Sequence, residues 1–414
     1  MKNTYRILAD NVTVNNNTWV TGLNNNDVIV GPSGGGKTTG YVIPNILNAE
    51  ESMIITDTKG NLCFKLGESL KKKGYRIIRI SLKELAGNEW GYNPLDHIRY
   101  DPKEDEYNEQ DIISIAHTLS PARSVKEPFW EEAAQMYLEC LISYVMKALP
   151  KREHNLKSVG RLADNIGAPS GELDRMMYEL EDVEPDCFTI RRYKQMCSNR
   201  SADKMDASIK GMVFNALNPF ASKDIERLFE NPKRIDFKLL GRKKTAVFLE
   251  VSDTDRSMDT LANLFYTQAL QNLCREADAR IPDCRLKVPV RFILDDFATN
   301  TLIPDFDKII SVIRSREIYV SLIIQSISQL ESLYGPYKAI TILNNCDNLL
   351  YLGGQDVETA RYIGTKLNKT TATVLNLPLD SAFLFTRGRE PRKVKKYNPF
   401  RHESKNENLP EQSR

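Results

Sequence analysis

Histidine is scarce in this chain, with four in 414 residues, and the seven cysteines at 63, 140, 187, 197, 274, 284 and 346 never come closer than ten residues to one another. No C-x-x-C or H-x-x-x-H spacing occurs. That excludes a disulfide scaffold and argues against a structural zinc site. Reduced thiols of a cytoplasmic protein are the expectation. Long apolar runs are also missing. Nothing approaches the ~18 residues that cross a bilayer, and Met1–Asp10 lacks the apolar stretch of a secretory leader. No charge sign dominates: 57 Lys and Arg stand against 55 Asp and Glu. Bulk charge therefore does not announce a nucleic-acid binder, and any basic footprint must be local. What remains is ordinary for a soluble globular protein, 41% hydrophobic and 27% charged. The length suggests two or three domains at roughly 150 residues each.

The pattern along the chain is α/β. Asn11–Asp27 alternates around asparagine-rich turns and reads as a small hairpin leading into the first core strand. Asp27–Val30, Met53–Thr56 and Arg76–Ile80 read as apolar strands of a parallel sheet buried on both faces. From about Lys103 to Phe220 the spacing turns helical, with no convincing strand; Leu138, Ile142, Val145 and Met146 recur at helical intervals. Strand-like runs return at Thr245–Val251, Val290–Leu294, Tyr319–Ile324 and Asn348–Leu352, separated by helical stretches. The expected organisation is an α/β domain built from 1–103 and 221–390, an all-α domain inserted at 104–220, and a basic tail at 391–414 that frays.

Gly31, Pro32, Ser33, Gly34, Gly35, Gly36, Lys37 and Thr38 fit G-x-x-x-x-G-K-[ST] at every fixed position, after a predicted strand and before a predicted helix. Glycines there let successive amides turn inward around phosphate, and the helix start adds partial positive charge. This makes ATP the expected ligand, with Thr39 closing the loop. Lys37 would reach the β- and γ-phosphates, and the Thr38 hydroxyl would hold Mg²⁺. A second acidic strand end fits beside it: Arg291-Phe292-Ile293-Leu294 runs into Asp295 and Asp296. Asp295 would position Mg²⁺, and Asp296 would orient or deprotonate the attacking water. Asp57 is a rival, carried by Ile54-Ile55-Thr56 and followed by Thr58-Lys59-Gly60; a helix cap or turn is its other reading.

At this point the chain resembles the type IV coupling proteins of the TraG/TraD kind, the ATPases of conjugative DNA transfer. The resemblance runs from about Asp27 to Arg389. Gly40-Tyr41-Val42-Ile43-Pro44-Asn45 is similar to the family's G-x-x-I-P-N helix, and Asp57-Thr58-Lys59-Gly60 to its D-P-K-G-E. Tyr92-Asn93-Pro94-Leu95, Phe129-Trp130 and Leu294-Asp295-Asp296-Phe297 resemble its Y-N-P-L, F-W and L-D-E-F. Arg314-Ser315-Arg316, Gln325-Ser326 and Gly364–Thr371 fit its later motifs. Their order and spacing together carry the likeness.

The resemblance implies a RecA-like P-loop NTPase domain with a mostly parallel sheet, an inserted all-α domain and hexameric assembly. It implies DNA-stimulated ATP hydrolysis that links a relaxase-bound single strand to a type IV secretion channel. Arg314 would be an arginine finger entering a neighbour's site, and Gln325 the sensor of γ-phosphate. The family's usual transmembrane segment is not seen before Gly31, so docking at the inner face of the membrane through partners is expected. Asp296 stands where the family carries Glu. Two other readings stay open: an FtsK/HerA-type DNA pump, and a substrate-docking adaptor that binds nucleotide with little turnover. Basic clusters occur at Lys71–Lys73, Arg191–Lys194, Arg242–Lys244 and Arg387–Lys396. Within the second, Tyr193 is either a base-stacking residue among phosphate-binding cations or part of a solvated helix face.

Overall fold

The computed structural model describes residues 4–121, 129–167, 171–200, 202–297 and 302–399. They pack as two compact units, Met1–Arg79 with Asp236–Thr254 and Leu273–Arg414, and Ile80–Ile235 with Asp255–Asn272. The joints thus fall at 79/80 and 235/236, where the sequence pattern suggested 103/104 and 220/221. Side-chain packing accounts for the shift. Tyr92 meets Phe265 edge to face at 5.0 Å and donates its hydroxyl to Gln268 at 2.7 Å. Residues 80–103 therefore pack with the second unit.

The first unit begins with a hairpin, β1 (Tyr5–Ala9) and β2 (Val12–Asn15). It lies earlier than the 11–27 expected, because Asn11 adopts the left-handed backbone (φ 55°) that turns the chain. Asn17 instead caps a single helical turn, accepting from the amides of Trp19 and Val20.

A nine-stranded sheet follows, from β3 (Asp27–Val30), β4 (Ser52–Asp57), β5 (Arg76–Ser81), β8 (Thr245–Glu250), β9 (Val290–Leu294), β10 (Ile318–Ile324), β11 (Asn348–Tyr351), β12 (Ser381–Thr386) and β13 (Arg392–Lys395), while the two strands between β5 and β8 form a separate ribbon described below. Its order is β13-β12-β11-β3-β10-β9-β4-β8-β5. From β11 to β8 every pairing is parallel. Every residue of β3, β4, β8, β9 and β10 is buried, as both faces of a parallel sheet demand. Parallel strands put their carboxyl ends on one edge, which is where α/β proteins place their ligands.

The last two strands correct the expected fraying tail. β12 and β13 form an antiparallel hairpin on the sheet margin, with Ser381 opposite Lys395. An edge strand is held by main-chain hydrogen bonds and carries charge outward to discourage further pairing. Arg392, Lys393 and Lys395 are exposed there, so the composition that suggests disorder is that of an edge. Residues 400–414 of the expected tail lie outside the described residues.

The second unit centres on the helix Phe129–Ala148, thirteen of whose residues are buried. The helices Glu109–Leu119, Leu156–Ala163, Phe188–Asn199 and Asp203–Leu217 pack against it. The region expected to hold no strand contains one arm of a two-stranded ribbon, β6 (Tyr100–Asp101) with β7 (Glu106–Tyr107). Asp105 turns it at φ 54°, and the Tyr100 and Tyr107 rings lie 5.1 Å apart across it. Two residues per strand are too few for an alternation signal.

Candidate nucleotide site

β3 delivers its last residue, Val30, to the carboxyl edge between β10 and β11. The Gly31 amide donates to the Ile324 carbonyl at 3.1 Å, and the Leu352 amide to the Val30 carbonyl at 2.7 Å. A Cβ on Gly31 would lie 2.9 Å from Leu352 Cβ, so no side chain fits. Gly34 and Gly36 take left-handed backbone, φ 73° and 91°. Alternating handedness of this kind turns amides into an anion-binding concavity. Pro32, Ser33 and Gly34 are exposed on the loop, with Gly35 half-buried. Lys37 is buried, and its ammonium donates to the carbonyls of Gly31 at 2.9 Å and Pro32 at 3.1 Å.

The helix after the loop starts with a wide π turn, Thr38–Val42, in which Ile43 N–H donates to the Thr38 carbonyl, and continues as Ile43–Asn48. Pro44 explains it. Proline has no amide to return to Gly40, so the preceding turn widens; such turns concentrate at functional sites. Thr39 is exposed at this helix start.

Opposite Thr38 stands the end of β9. Thr38 Oγ1 donates to Asp295 Oδ2 at 2.9 Å, across 257 residues of sequence. Asp295 is 6% exposed. Burial pushes its pKa up to about 6, and the Asp296 charge adds to the rise, while the Thr38 hydroxyl and the Lys37 ammonium pull it down. Asp296 has left-handed backbone, φ 52°, and its amide donates to Asp295 Oδ1 at 3.1 Å. Gln325, just past β10, brings Nε2 to 3.5 Å from Asp296 Oδ1.

Not all candidates gather here. Arg314 lies exposed in the turn Ile313–Arg316, before the first residue of β10. Gln325 follows the last. Seven residues of strand separate them, about 23 Å at the usual rise, so Arg314 does not reach the loop of its own chain. Asp57 sits at the end of β4, but Oδ1 accepts from the Gly60 amide at 2.8 Å and Oδ2 from the Leu62 amide at 2.6 Å. Its carboxylate closes the turn into the helix Leu62–Lys72. Tyr193 cannot stack a base in this conformation: it is 3% exposed and donates its hydroxyl to Asp174 at 2.7 Å. Arg191, Arg192 and Lys194 pair with Glu109, Glu139 and Glu181.

Sequence reasoning missed Lys396, whose Nζ donates to the Gly35 carbonyl at 3.1 Å. The apolar run Ser381–Thr386 before the turn at Gly388 was the available signal, since it marks the first arm of a hairpin that returns the chain to the loop.

Thr38 and Asp295 offer one hydroxyl and one carboxylate oxygen set, and no cage of three or more His, Cys, Asp or Glu exists among the described residues. That sparse set suits Mg²⁺, which takes one or two protein ligands and completes its octahedron with phosphate and water. The raised Asp295 pKa fits too, because a neighbouring dication favours the charged form that burial disfavours. A nest of amides, a buried lysine and this pair together can hold a polyphosphate.

Loop, sheet order and acidic strand end define the class: a RecA-like P-loop α/β protein. The chain belongs to the family of type IV secretory system conjugative DNA transfer proteins, whose family model matches residues 1–376. Protein VirD4 of Rhizobium radiobacter is 24% identical over 362 residues, covering 86% of this chain and 50% of the relative. The chain thus spans about half the length of that curated relative. The bacterial conjugative coupling protein TrwBdeltaN70, solved with sulphate, superposes with a TM-score of 0.70 at 16% identity, covering 90% of this chain and 85% of that one. The plasmid coupling protein TrwB in complex with ADP and Mg²⁺ superposes with a TM-score of 0.66 at 16% identity, covering the same shares. At that identity the structural likeness speaks for the fold. No helix among the described residues is long and apolar enough to cross a membrane.

Proposed function

We propose that the chain hydrolyses ATP and uses the hydrolysis to pass a relaxase-bound single strand of DNA to a type IV secretion channel. The observation that carries the catalytic part is the 2.9 Å contact of Thr38 with the buried Asp295 beside the glycine nest. Family membership supports the transfer part, and the relative crystallised with ADP and Mg²⁺ supports the choice of ligand. When bound, Mg²⁺ supplies the charge that neutralises the β- and γ-phosphate oxygens. The amides of Gly34 to Thr38 bind the phosphates. Lys37 exchanges the Gly31 and Pro32 carbonyls for phosphate oxygen, which lets a buried ammonium keep its hydrogen bonds throughout. Asp295 and Thr38 orient the ion. Asp296, next to Asp295 and beside Gln325, aligns the attacking water and accepts its proton. Gln325 stands beside Asp296, where it registers whether γ-phosphate is present.

Arg314 then acts on the next subunit of a hexamer. Its place at the opposite end of β10 supports action in trans, since a cis role is out of reach. The lobe at 104–220 meets the DNA or its relaxase, and the assembly works at the inner face of the membrane through partner proteins.

The test is ATPase activity of the full chain with and without single-stranded DNA. Lys37→Ala should lower turnover by ~10² or more, with the fold intact. Arg314→Ala should be equally dead alone. Mixed together, the two variants should regain part of the activity, because some interfaces pair an intact Lys37 with a neighbour's intact Arg314. A Lys37→Ala rate equal to the parent would reduce the loop to a turn. A dead mixture with proven co-assembly would remove Arg314 from the mechanism.

A further inference from the structure

The C-terminal edge of the sheet reaches the phosphate loop. β13 runs antiparallel to β12, and β12 antiparallel to β11, so β13 points the same way as β3. Its end therefore emerges at the nucleotide edge, three strand spacings or about 14 Å from β3. The chain then crosses back. The Lys396 amide donates to the Asp380 carbonyl at 2.8 Å, which fixes the start of the crossing. Lys396 Nζ donates to the Gly35 carbonyl at 3.1 Å. The Tyr397 carbonyl oxygen settles against Gly40, 3.1 Å from where a Cβ would stand. The segment thus touches both the loop and the helix that follows it.

Holding a lysine in this way opposes two costs. Ordering the long side chain costs rotamer entropy. Burial also depresses the Lys396 pKa, with only the Asp380 charge acting the other way. The position of the contact shows what it achieves. Gly35 lies between two glycines in left-handed backbone, the most pliable stretch of the loop. A trans peptide is planar, with its carbonyl and amide on opposite sides. A donor that grips the Gly35 carbonyl from outside the loop therefore turns the Gly36 amide to the other side, into the nest.

We propose that Lys396 is a positioning residue of the nucleotide site, a clasp from the C-terminal edge strand that pins the Gly35–Gly36 peptide so that the Gly36 amide is presented to phosphate. The inference rests on the reading of the loop as a nucleotide site. Nucleotide affinity would then depend on the seating of β13, and anything that lifts that strand would loosen the phosphate grip.

The experiment is binding of a fluorescent ATP analogue with Mg²⁺ to the full chain, alongside steady-state ATPase kinetics. Lys396→Ala should raise Kd and KM about fivefold to tenfold, the worth of one hydrogen bond of ordinary net strength, while kcat falls by less than twofold. Lys396→Met, which keeps the stem and loses the donor, should behave like Lys396→Ala. Lys396→Arg should recover most of the affinity. Gly40→Ala should weaken binding in the same direction by less, because its Cβ crowds the Tyr397 carbonyl. Parental affinity in Lys396→Ala would overturn the clasp. So would recovery by Lys396→Met, which would make the contact mere packing, and so would a loss confined to kcat or to thermal stability. If the parent itself fails to bind the analogue, the nucleotide reading falls first, and the clasp with it.

Discussion

Two carboxylates are sunk into opposite ends of the central sheet, and burial has opposite outcomes for them. At the amino end, Asp27 is 1% exposed. It accepts from Arg6 Nε at 2.7 Å and Nη2 at 3.1 Å, from the Tyr41 hydroxyl at 2.5 Å and from Asn348 Nδ2 at 2.9 Å. Arg291 stands close by and donates to Glu51 at 2.8 Å. Burial alone would raise the Asp27 and Glu51 pKa values, yet the arginines hold both below the ordinary range. At the carboxyl end, Asp295 is nearly as buried, but its direct partners are one hydroxyl and a neighbouring amide, and the charge of Lys37 is set against that of a second carboxylate. There burial wins. A carboxylate with matched cations is part of the scaffold; one left beside another negative charge, at the edge where strands end, is poised for a cation from outside.

The contrast breaks most visibly at the amino end. Asp27→Asn would leave two buried guanidiniums with one carboxylate fewer, a loss of about 3–5 kcal/mol. Urea unfolding should show it as a lower midpoint at unchanged slope. The Asp27 pKa is lowered in the folded state, so its contribution is present above about pH 4 and disappears as pH falls through the folded value. A shift of under 1 kcal/mol at pH 7 would mean that the network is not a structural keystone.

At the carboxyl end the sign reverses. Folded Asp295 titrates near 6, above its unfolded value, so it binds a proton more tightly in the folded state. Stability is therefore lost as pH rises from about 4 to 6. Asp295→Asn should raise the nucleotide-free stability at pH 7.5 by about 1–3 kcal/mol and change nothing at pH 4, while Mg²⁺-dependent hydrolysis collapses. Thermal melts across that pH range decide the matter: destabilisation by Asp295→Asn at pH 7.5 would show that the carboxylate is already satisfied.

The smallest effect separates two carboxylates on the same edge. Asp57→Ala removes a turn cap worth about 1 kcal/mol and should leave turnover within a few-fold of the parent. A loss comparable with that of Asp295→Asn would restore Asp57 to the chemistry.

Much of this was legible in the residues. The loop Gly31–Thr38 could be read outright, because its glycines, its lysine and the strand before it act within eight consecutive positions. Six of the seven expected core strands could be read for the same reason: an apolar run buried on both faces announces itself locally. Arg76–Ser81, expected to be buried on both faces, is instead the sheet's other edge and only partly buried, because no strand among the described residues pairs beyond it. The hairpin of β12 and β13 could not, since an edge is held by main-chain pairing that leaves charged side chains outside. The motif Tyr92-Asn93-Pro94-Leu95 was visible without its purpose. Asn93 Oδ1 accepts from the Leu95 amide at 3.2 Å and Nδ2 donates to the His154 carbonyl at 2.7 Å, so part of its work is to hold a distant turn.

By itself the sequence determined which residue types were available for phosphate and metal, and in what order along the chain. Only the tertiary structure decided among them. It set Asp295 against Thr38 and placed Gln325 beside Asp296. It spent both oxygens of Asp57 on amides, buried Tyr193 against Asp174 and brought Lys396 back to Gly35. The physical reason is range. Backbone handedness and strand burial are settled by neighbours a few residues away, whereas the charge state and reach of a carboxylate or an ammonium depend on groups that strand pairing delivers from hundreds of residues off.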